Sequence, residues 1–195
     1  MLPLSVIAYG FLTQTRYVYM EFVRDVEKAL EIIAAYYQGS TKYAEAVVKK
    51  WPSSDAVVVY INGDVAAAEL FYTLRLATSV CVHYYIAVAP SFRGRGVATR
   101  LVTYIENICN SSVYIATTRV DNLPAVKLFT KLGYSKYQWK SIPRKIREIL
   151  LKSTCGYDDD FIFIKRATPQ EIALYTEEVE AFWRETCLKP YLGEA

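Results

Sequence analysis

The chain is short of the residues that build metal and redox centres. It has one histidine, His83, and four scattered cysteines, Cys81, Cys109, Cys155 and Cys187, with no C-x-x-C pair. That argues against a structural zinc site, and no metal ligand set is expected. Buried thiols are the first expectation for the cysteines; disulfides are the alternative if the source is a hyperthermophile. No apolar run is long enough to span a membrane, and the longest candidate, Val80 to Pro90, is interrupted by His83. The apolar start, Met1 to Leu12, has no basic segment and no cleavage site, so no signal peptide is expected and the location read from the sequence is cytoplasmic. A net charge of +3, with Lys and Arg interleaved among Asp and Glu, argues against a nucleic-acid partner. A Walker A loop is excluded, because Gly-Lys-Ser/Thr does not occur.

What is present is enough apolar chain for one packed domain: 195 residues, 53% of them hydrophobic. Arg16 to Val23 alternates as a strand. Asp25 to Tyr37 places Val26, Ala29, Leu30, Ile33 and Tyr37 on one helical face. Ser40 is placed to cap a second helix, which Pro52 ends. Ala56 to Ile61 reads as a strand, Asn62-Gly63 as a hairpin turn, and Val65 to Leu76 as the return strand. Then follow a strand from Val80 to Ala89, a helix to about Asn110, and a strand from Val113 to Val120. A helix from Leu123 to Leu132, a strand from Tyr134 to Ser141, a helix from Arg144 to Lys152 and a strand from Asp160 to Arg166 complete the order. Hairpins first and β-α-β crossovers later predict an α/β fold with a mixed, largely antiparallel central sheet and helices on both faces.

The tail opens with Thr168-Pro169-Gln170-Glu171, a capping box with proline at the first helical position. A helix is expected there with Ile172, Tyr175, Val179, Phe182 and Trp183 as a narrow apolar stripe. The stripe packs on its own domain or forms a dimer contact; the first is favoured, and the chain is expected to be a monomer or a homodimer.

The most informative stretch is Tyr85 to Leu101. An apolar strand ends at Pro90, Arg93-Gly94-Arg95-Gly96 makes a turn, and an amphipathic helix starts at once, with Val97, Leu101, Ile105 and Ile108 on its apolar side. A helix N-terminus offers unpaired N–H groups and a positive dipole end to an anion, and glycine lets the anion approach the backbone. A dinucleotide fingerprint fits poorly, because Thr99 follows the two glycines and the next strand offers no acid for a ribose. The pattern Arg/Gln-x-x-Gly-x-Gly/Ala is met by Arg93, Gly96 and Ala98. A second segment, Asn122-Leu123-Pro124-Ala125-Val126-Lys127-Leu128-Phe129-Thr130-Lys131-Leu132-Gly133-Tyr134, follows one strand later. It reads as a short helix, capped by Asp121 or Asn122 and stopped by Gly133.

In this order the two segments resemble the acetyl-CoA signatures of the GNAT superfamily of acyl-CoA-dependent N-acetyltransferases. The resemblance covers roughly residues 17 to 165. It makes 1–195 one GNAT-like domain, with a core of about 17–166 and a helical extension over 167–195. The resemblance implies acetyl-CoA as co-substrate. The backbone of Arg93, Gly94, Arg95, Gly96, Val97 and Ala98 would hold its pyrophosphate, with Arg93 and Arg95 placed to add side-chain contacts. The pantetheine arm would pair with the strand at Ala87 and Val88, the Val88 N–H would meet the thioester carbonyl, and Asn122 would contact the arm or serve only as a helix cap. The acceptor is a primary amine on a protein N-terminus, a lysine or a small molecule; the sequence does not choose among them.

Two catalytic positions depart from the family. The usual tyrosine acid of the second signature is Phe129, and a strand position that often carries the base is Val82. Tyr84, on the Val82 face by alternation, Tyr134 and Glu69 are the substitutes proposed, with Tyr137 near Tyr134. His83 should point to the opposite face from Val82. Asp158, Asp159 and Asp160 stand at the acceptor entrance by the same resemblance, or form a plain solvated turn. The competing function is a non-catalytic acyl-CoA-binding module that keeps the slot without turnover.

Overall fold

The computed structural model describes residues 9–13, 16–37 and 39–194. Eight strands form one sheet: β1 (Tyr9–Thr13), β2 (Arg16–Arg24), β3 (Ser54–Ile61), β4 (Asp64–Arg75), β5 (Ser79–Val88), β6 (Val113–Thr118), β7 (Ser135–Gln138) and β8 (Phe161–Lys165). Their order across the sheet is β1-β2-β3-β4-β5-β6-β8-β7. Every neighbouring pair is antiparallel except β5 and β6. The hairpin at Asn62-Gly63 has positive φ at both residues, 53° and 88°, and joins Ile61 directly to Asp64. Two consecutive left-handed residues give the primed turn whose twist matches the strands it joins. The expected mixed, largely antiparallel sheet with helices on both faces is what forms, with β1 as an edge strand that the sequence reading passed over.

Helices α1 (Val26–Tyr36), α2 (Lys42–Lys50) and α5 (Arg144–Thr154) cover one face, and α3 (Val97–Cys109) and α4 (Leu123–Lys131) cover the other. With both faces covered, the central strands bury side chains on both sides, so Val57-Val58-Val59 and Ala66-Ala67-Ala68 run without polar interruption. On β5, Val80 and Val82 join the core on the α1/α2/α5 side, and Cys81 joins the α3/α4 side. At α2 the cap position is Thr41 rather than Ser40, whose Oγ accepts from the Lys42 N–H at 3.4 Å.

The cysteines are not buried thiols. Cys81 of β5 is bonded to Cys109 at the end of α3, and Cys155 at the end of α5 is bonded to Cys187 in the tail. Partners 28 and 32 residues apart carry no local signal that sequence spacing reveals.

The tail departs from the expected single helix. The capping box forms, but α6 (Pro169–Ile172) ends after one turn and α7 (Glu177–Phe182) begins on a second cap. Thr176 Oγ1 accepts from the Val179 N–H at 3.1 Å and donates to the Arg75 carbonyl at 3.1 Å, which fastens the break to the end of β4. A second capping residue inside the stripe competes with helix continuation and wins. Tyr175 therefore leaves the stripe and is exposed, while Ile172, Val179 and Phe182 are buried against the chain's own sheet. Phe182 stacks on Tyr72 at 4.6 Å and meets Trp51 edge-on at 5.1 Å. A π-helical stretch, Trp183–Leu188, and α8 (Lys189–Leu192) follow. Among the described residues no helix is long and apolar enough to cross a membrane.

Candidate functional site

The parallel strands β5 and β6 pair only from Val80 with Val113 to His83 with Ala116. Beyond His83, β5 continues five residues to Val88 along β4 while β6 leaves its side. The sheet is therefore forked. A β-bulge at the fork puts Tyr84 into β5 as an extra residue, since Leu70 faces Tyr85 and Phe71 faces His83. The bulge turns Tyr84 and Tyr85 onto the same face as Val82, which simple alternation foresees only for Tyr84.

Successive backbone N–H groups of a strand point to opposite edges. The Ala89 N–H goes to the Ala66 carbonyl on the β4 side, so those of Val88 and Ile86 point into the fork. Val88 offers only its N–H there, because its carbonyl accepts from Arg93 Nε at 3.0 Å. That bond uses part of the Arg93 guanidinium as a brace between strand end and loop.

After a single 3-10 turn at Pro90–Phe92, the loop reaches α3 through Gly94 and Gly96, whose φ angles are 74° and 76°. A left-handed backbone favours glycine, and a Cβ at either position would meet no protein atom within 4 Å. What the glycines keep clear is space outside the protein, at the N-terminus of a thirteen-residue helix. The Arg100 N–H is bonded to the Gly96 carbonyl, so those of Val97, Ala98 and Thr99 have no carbonyl within the helix to bond. Arg93 to Gly96 are exposed, Ala98 is half-buried, and Val97 anchors the helix in the core. A phosphate ester fits this cradle. Beside it lies a groove of about 670 Å³ that includes Tyr36, Asp64, Pro90, Phe92 and Arg95.

Across the fork, Asn122 caps α4, its Oδ1 accepting from the Ala125 N–H at 3.3 Å. The helix ends in a Schellman turn: Gly133 has φ 82°, its N–H bonds the Thr130 carbonyl, and the Tyr134 N–H bonds the Phe129 carbonyl. This turn folds Tyr134 back on Phe129, with ring centroids 5.1 Å apart, and both are buried.

The three proposed catalytic residues separate. Glu69 and Tyr134 meet through His83 on the α3/α4 face. Glu69 Oε1 is hydrogen-bonded to His83 Nδ1, and the Tyr134 hydroxyl lies 2.9 Å from His83 Nε2. Glu69 is fully buried rather than solvated, and burial pushes its carboxyl above the ordinary range against the pull of His83. Tyr84 is on the other face, half-buried, edge-on to Tyr72 at 5.2 Å and to Tyr85 at 4.8 Å. Tyr137 packs on that same side.

Sequence reasoning missed Glu106 and Lys165. Glu106 Oε1 accepts from the Tyr134 hydroxyl at 2.7 Å and its Oε2 pairs with Lys165 Nζ at 2.6 Å. The available signal was an acid four residues after Val102 on the apolar side of α3, where a solvated glutamate has no place. Among the three aspartates, Asp160 is a brace, accepting from the Val120 N–H at 2.8 Å. Asp158 is exposed. Asp159 is half-buried, and burial raises its carboxyl while a hydrogen bond from Thr117 lowers it. Its charge acts on Tyr37 and Tyr85, both raised chiefly by burial. Those rings meet edge-on at 4.7 Å.

The acetyltransferase (GNAT) family matches residues 26–134 of this chain. No curated protein sequence matches it. Among solved structures it is similar to the ribosomal-protein-S18-alanine N-acetyltransferase from Escherichia coli, with 16% identity and a TM-score of 0.54 over 81% of this chain and 97% of that one. It is also similar to Arabidopsis thaliana Naa50 in complex with the bisubstrate analogue CoA-Ac-MVNAL, with 16% identity and a TM-score of 0.50 over 76% and 97% of the two chains. A third is the spermidine/spermine N-acetyltransferase SpeG from Vibrio cholerae, with 14% identity and a TM-score of 0.51 over 75% and 92%. At these identities the likeness is one of fold.

Proposed function

Because this chain belongs to the acetyltransferase (GNAT) family, we propose that it moves an acetyl group from acetyl-CoA to a primary amine by direct attack on the thioester. The observation that carries the reading is the fork: β5 outruns β6 by five residues and ends on a glycine cradle at a helix N-terminus. The cradle of Arg93 to Ala98 takes the pyrophosphate, with Arg95 free of the strand brace that holds Arg93. The extended arm enters the fork and pairs with the inward N–H groups of Val88 and Ile86, as an added strand would. Ala87 packs in the core on the α1/α2 side. With the phosphate end at the loop, the arm passes Val88 first, so Ile86 is the inward donor nearer the thioester. Asn122 spends its Oδ1 on the helix cap, which leaves its amide nitrogen as the atom to meet an arm carbonyl.

The amine arrives from the α1/α2 side, past Tyr37 and Tyr85, where Asp159 attracts its protonated form. Only one of the three aspartates serves there. The acceptor is thus a compound with a primary amine, on a peptide or a small molecule. Tyr84, at the bulge on this side, is the residue placed to order the amine or a water beside it.

A second reading has its own observation. Val82 and Phe129, which replace two familiar catalytic positions, are both buried and cannot titrate. That suits a module that binds acyl-CoA without turnover. Calorimetry with acetyl-CoA, followed by assay of free CoA with a panel of amines, decides between them. Binding with amine-stimulated CoA release is expected; binding without release from any amine selects the module. Gly96→Val tests the cradle: a β-branched residue at φ 76° strains the loop and fills the phosphate space, so acetyl-CoA affinity should be lost with the fold retained. Unchanged affinity would remove the pyrophosphate assignment.

A further inference from the structure

Glu69, His83, Tyr134, Glu106 and Lys165 form one hydrogen-bonded chain from the buried heart of the α3/α4 face to its rim. We propose that this chain is a proton relay whose working end, the Tyr134 hydroxyl, protonates the CoA thiolate that leaves when the amine is acetylated. The proposal rests on the acetyl-transfer reading above.

Its position is the first argument. His83 is the last residue of β5 that β6 pairs, so the relay stands at the base of the fork, where an arm entering from the loop ends. Phe129 occupies the place where a hydroxyl-bearing residue would be looked for. The Schellman turn at Gly133 returns a hydroxyl to that neighbourhood from five residues further on, as Tyr134 against the Phe129 ring. Phe129 also lies 6.0 Å from the His83 ring and packs against it.

Proton counting is the second. Tyr134 has one proton, and two neighbours compete for it: Glu106 Oε1 at 2.7 Å, which only accepts when ionised, and His83 Nε2 at 2.9 Å. The Tyr134 hydroxyl donates to Glu106 Oε1, whose other oxygen pairs with Lys165, so the Tyr134 oxygen is left to accept from an N–H at His83 Nε2. The remaining proton lies between His83 Nδ1 and Glu69 Oε1. Tyrosine thus has a proton donor directly behind it.

The step then balances. The amine lone pair forms the C–N bond, the C–S bond breaks, and its electron pair goes to sulfur. The Tyr134 hydroxyl turns from Glu106 and gives its proton to sulfur, Tyr134 takes the His83 Nε2 proton, and imidazole keeps or gains the proton shared with Glu69, which ends as a carboxylate. The dyad loses one proton, the thiolate gains one, and the acetylated nitrogen releases its own to solvent, from which the dyad is recharged. Glu69 Oε2 is buried with no hydrogen-bond partner, which fits a carboxylate that alternates between charged and neutral forms rather than one built as a permanent anion.

The chain has a single histidine, so nitrogen-15 labelling yields one imidazole and isolates the relay. In the free protein, Nε2 should be protonated. Adding CoA should shift the His83 signals, and Tyr134→Phe saturated with CoA should show no such shift. In turnover, Tyr134→Phe should lower kcat by about 10²–10⁴-fold, the usual share of a general acid. CoA that binds without moving the His83 signals overturns the relay, as does a folded Tyr134→Phe protein with wild-type kcat. If CoA moves the signals but no amine stimulates release, the acetyl-transfer reading fails and the thiol contact stands. If CoA does not bind, both fail.

Discussion

The two faces of the sheet solve the same packing problem with different chemistry. Under α1, α2, α5 and the tail the buried side chains are aliphatic or aromatic, with Ser153, Thr154 and Thr186 the buried polar ones. Under α3 and α4 the core encloses two acids and an imidazole, with a lysine at its rim. Burying ions costs several kcal/mol each after relaxation, and well-packed apolar residues do as well or better for stability. The apolar face shows that this fold has no architectural need of charge. The charges on the second face sit at the base of the fork, where β6 leaves β5.

The contrast is best broken by one substitution on each side. His83→Leu strands Glu69 as a buried acid without a partner and should cost about 3–5 kcal/mol at neutral pH in urea unfolding. The sign with pH is specific. A carboxyl held above its unfolded pKa binds more protons in the folded state, so the deficit should shrink toward pH 4 and grow as pH rises. Phe182→Ala opens a cavity between Tyr72 and Trp51 and should also cost about 3–5 kcal/mol, with no pH dependence and no change in acetyl-CoA affinity. Equal pH profiles for the two variants would end the distinction between the faces.

The disulfides sharpen the comparison, one on each face. Each closes a loop of about thirty residues and should contribute roughly 3–4 kcal/mol by restricting the unfolded chain. Cys187→Ser should lower the melting temperature without touching cofactor affinity. Cys81→Ser should do the same and also loosen α3 against β5, which an acetyl-CoA titration would register as weaker binding.

The smallest effect belongs to the tail. Lys152, with Tyr175 and Arg184, holds the Glu180 carboxyl down at about 2. A depressed carboxyl contributes stability above its unfolded pKa and loses it as pH falls through the folded one, here from about 4.5 down to about 2. The pair is partly exposed, so the gain is a fraction of a kcal/mol. Glu180→Gln should flatten the acid limb of the melting curve slightly and leave neutral stability almost unchanged.

Much of the fold was legible because its signals are local. Asn62-Gly63, the Thr168 capping box and the Gly133 stop each act within a few residues and formed as read. The glycine loop before α3 belongs with them, since strand end, glycines and helix start are contiguous. The tail break was less visible because two caps, Thr168 and Thr176, compete within eight residues, and the bond from Thr176 to Arg75 decides the outcome. The bulge at Tyr84 left no mark, because it depends on how β4 and β5 register along their whole length.

By itself, then, the sequence determined the order of elements from β2 to β8, the turn types and the glycine loop that opens α3, all matters of backbone conformation within one stretch of chain. Only the tertiary structure decided that Cys81 meets Cys109, that Asp159 is half-buried while Asp158 and Asp160 are exposed, and that Glu69 and Glu106 lie on either side of one histidine and one tyrosine. A side chain's chemistry depends on its partners and its solvation. For these residues the partners are dozens of positions away, and packing the sheet between two helical layers removes the water.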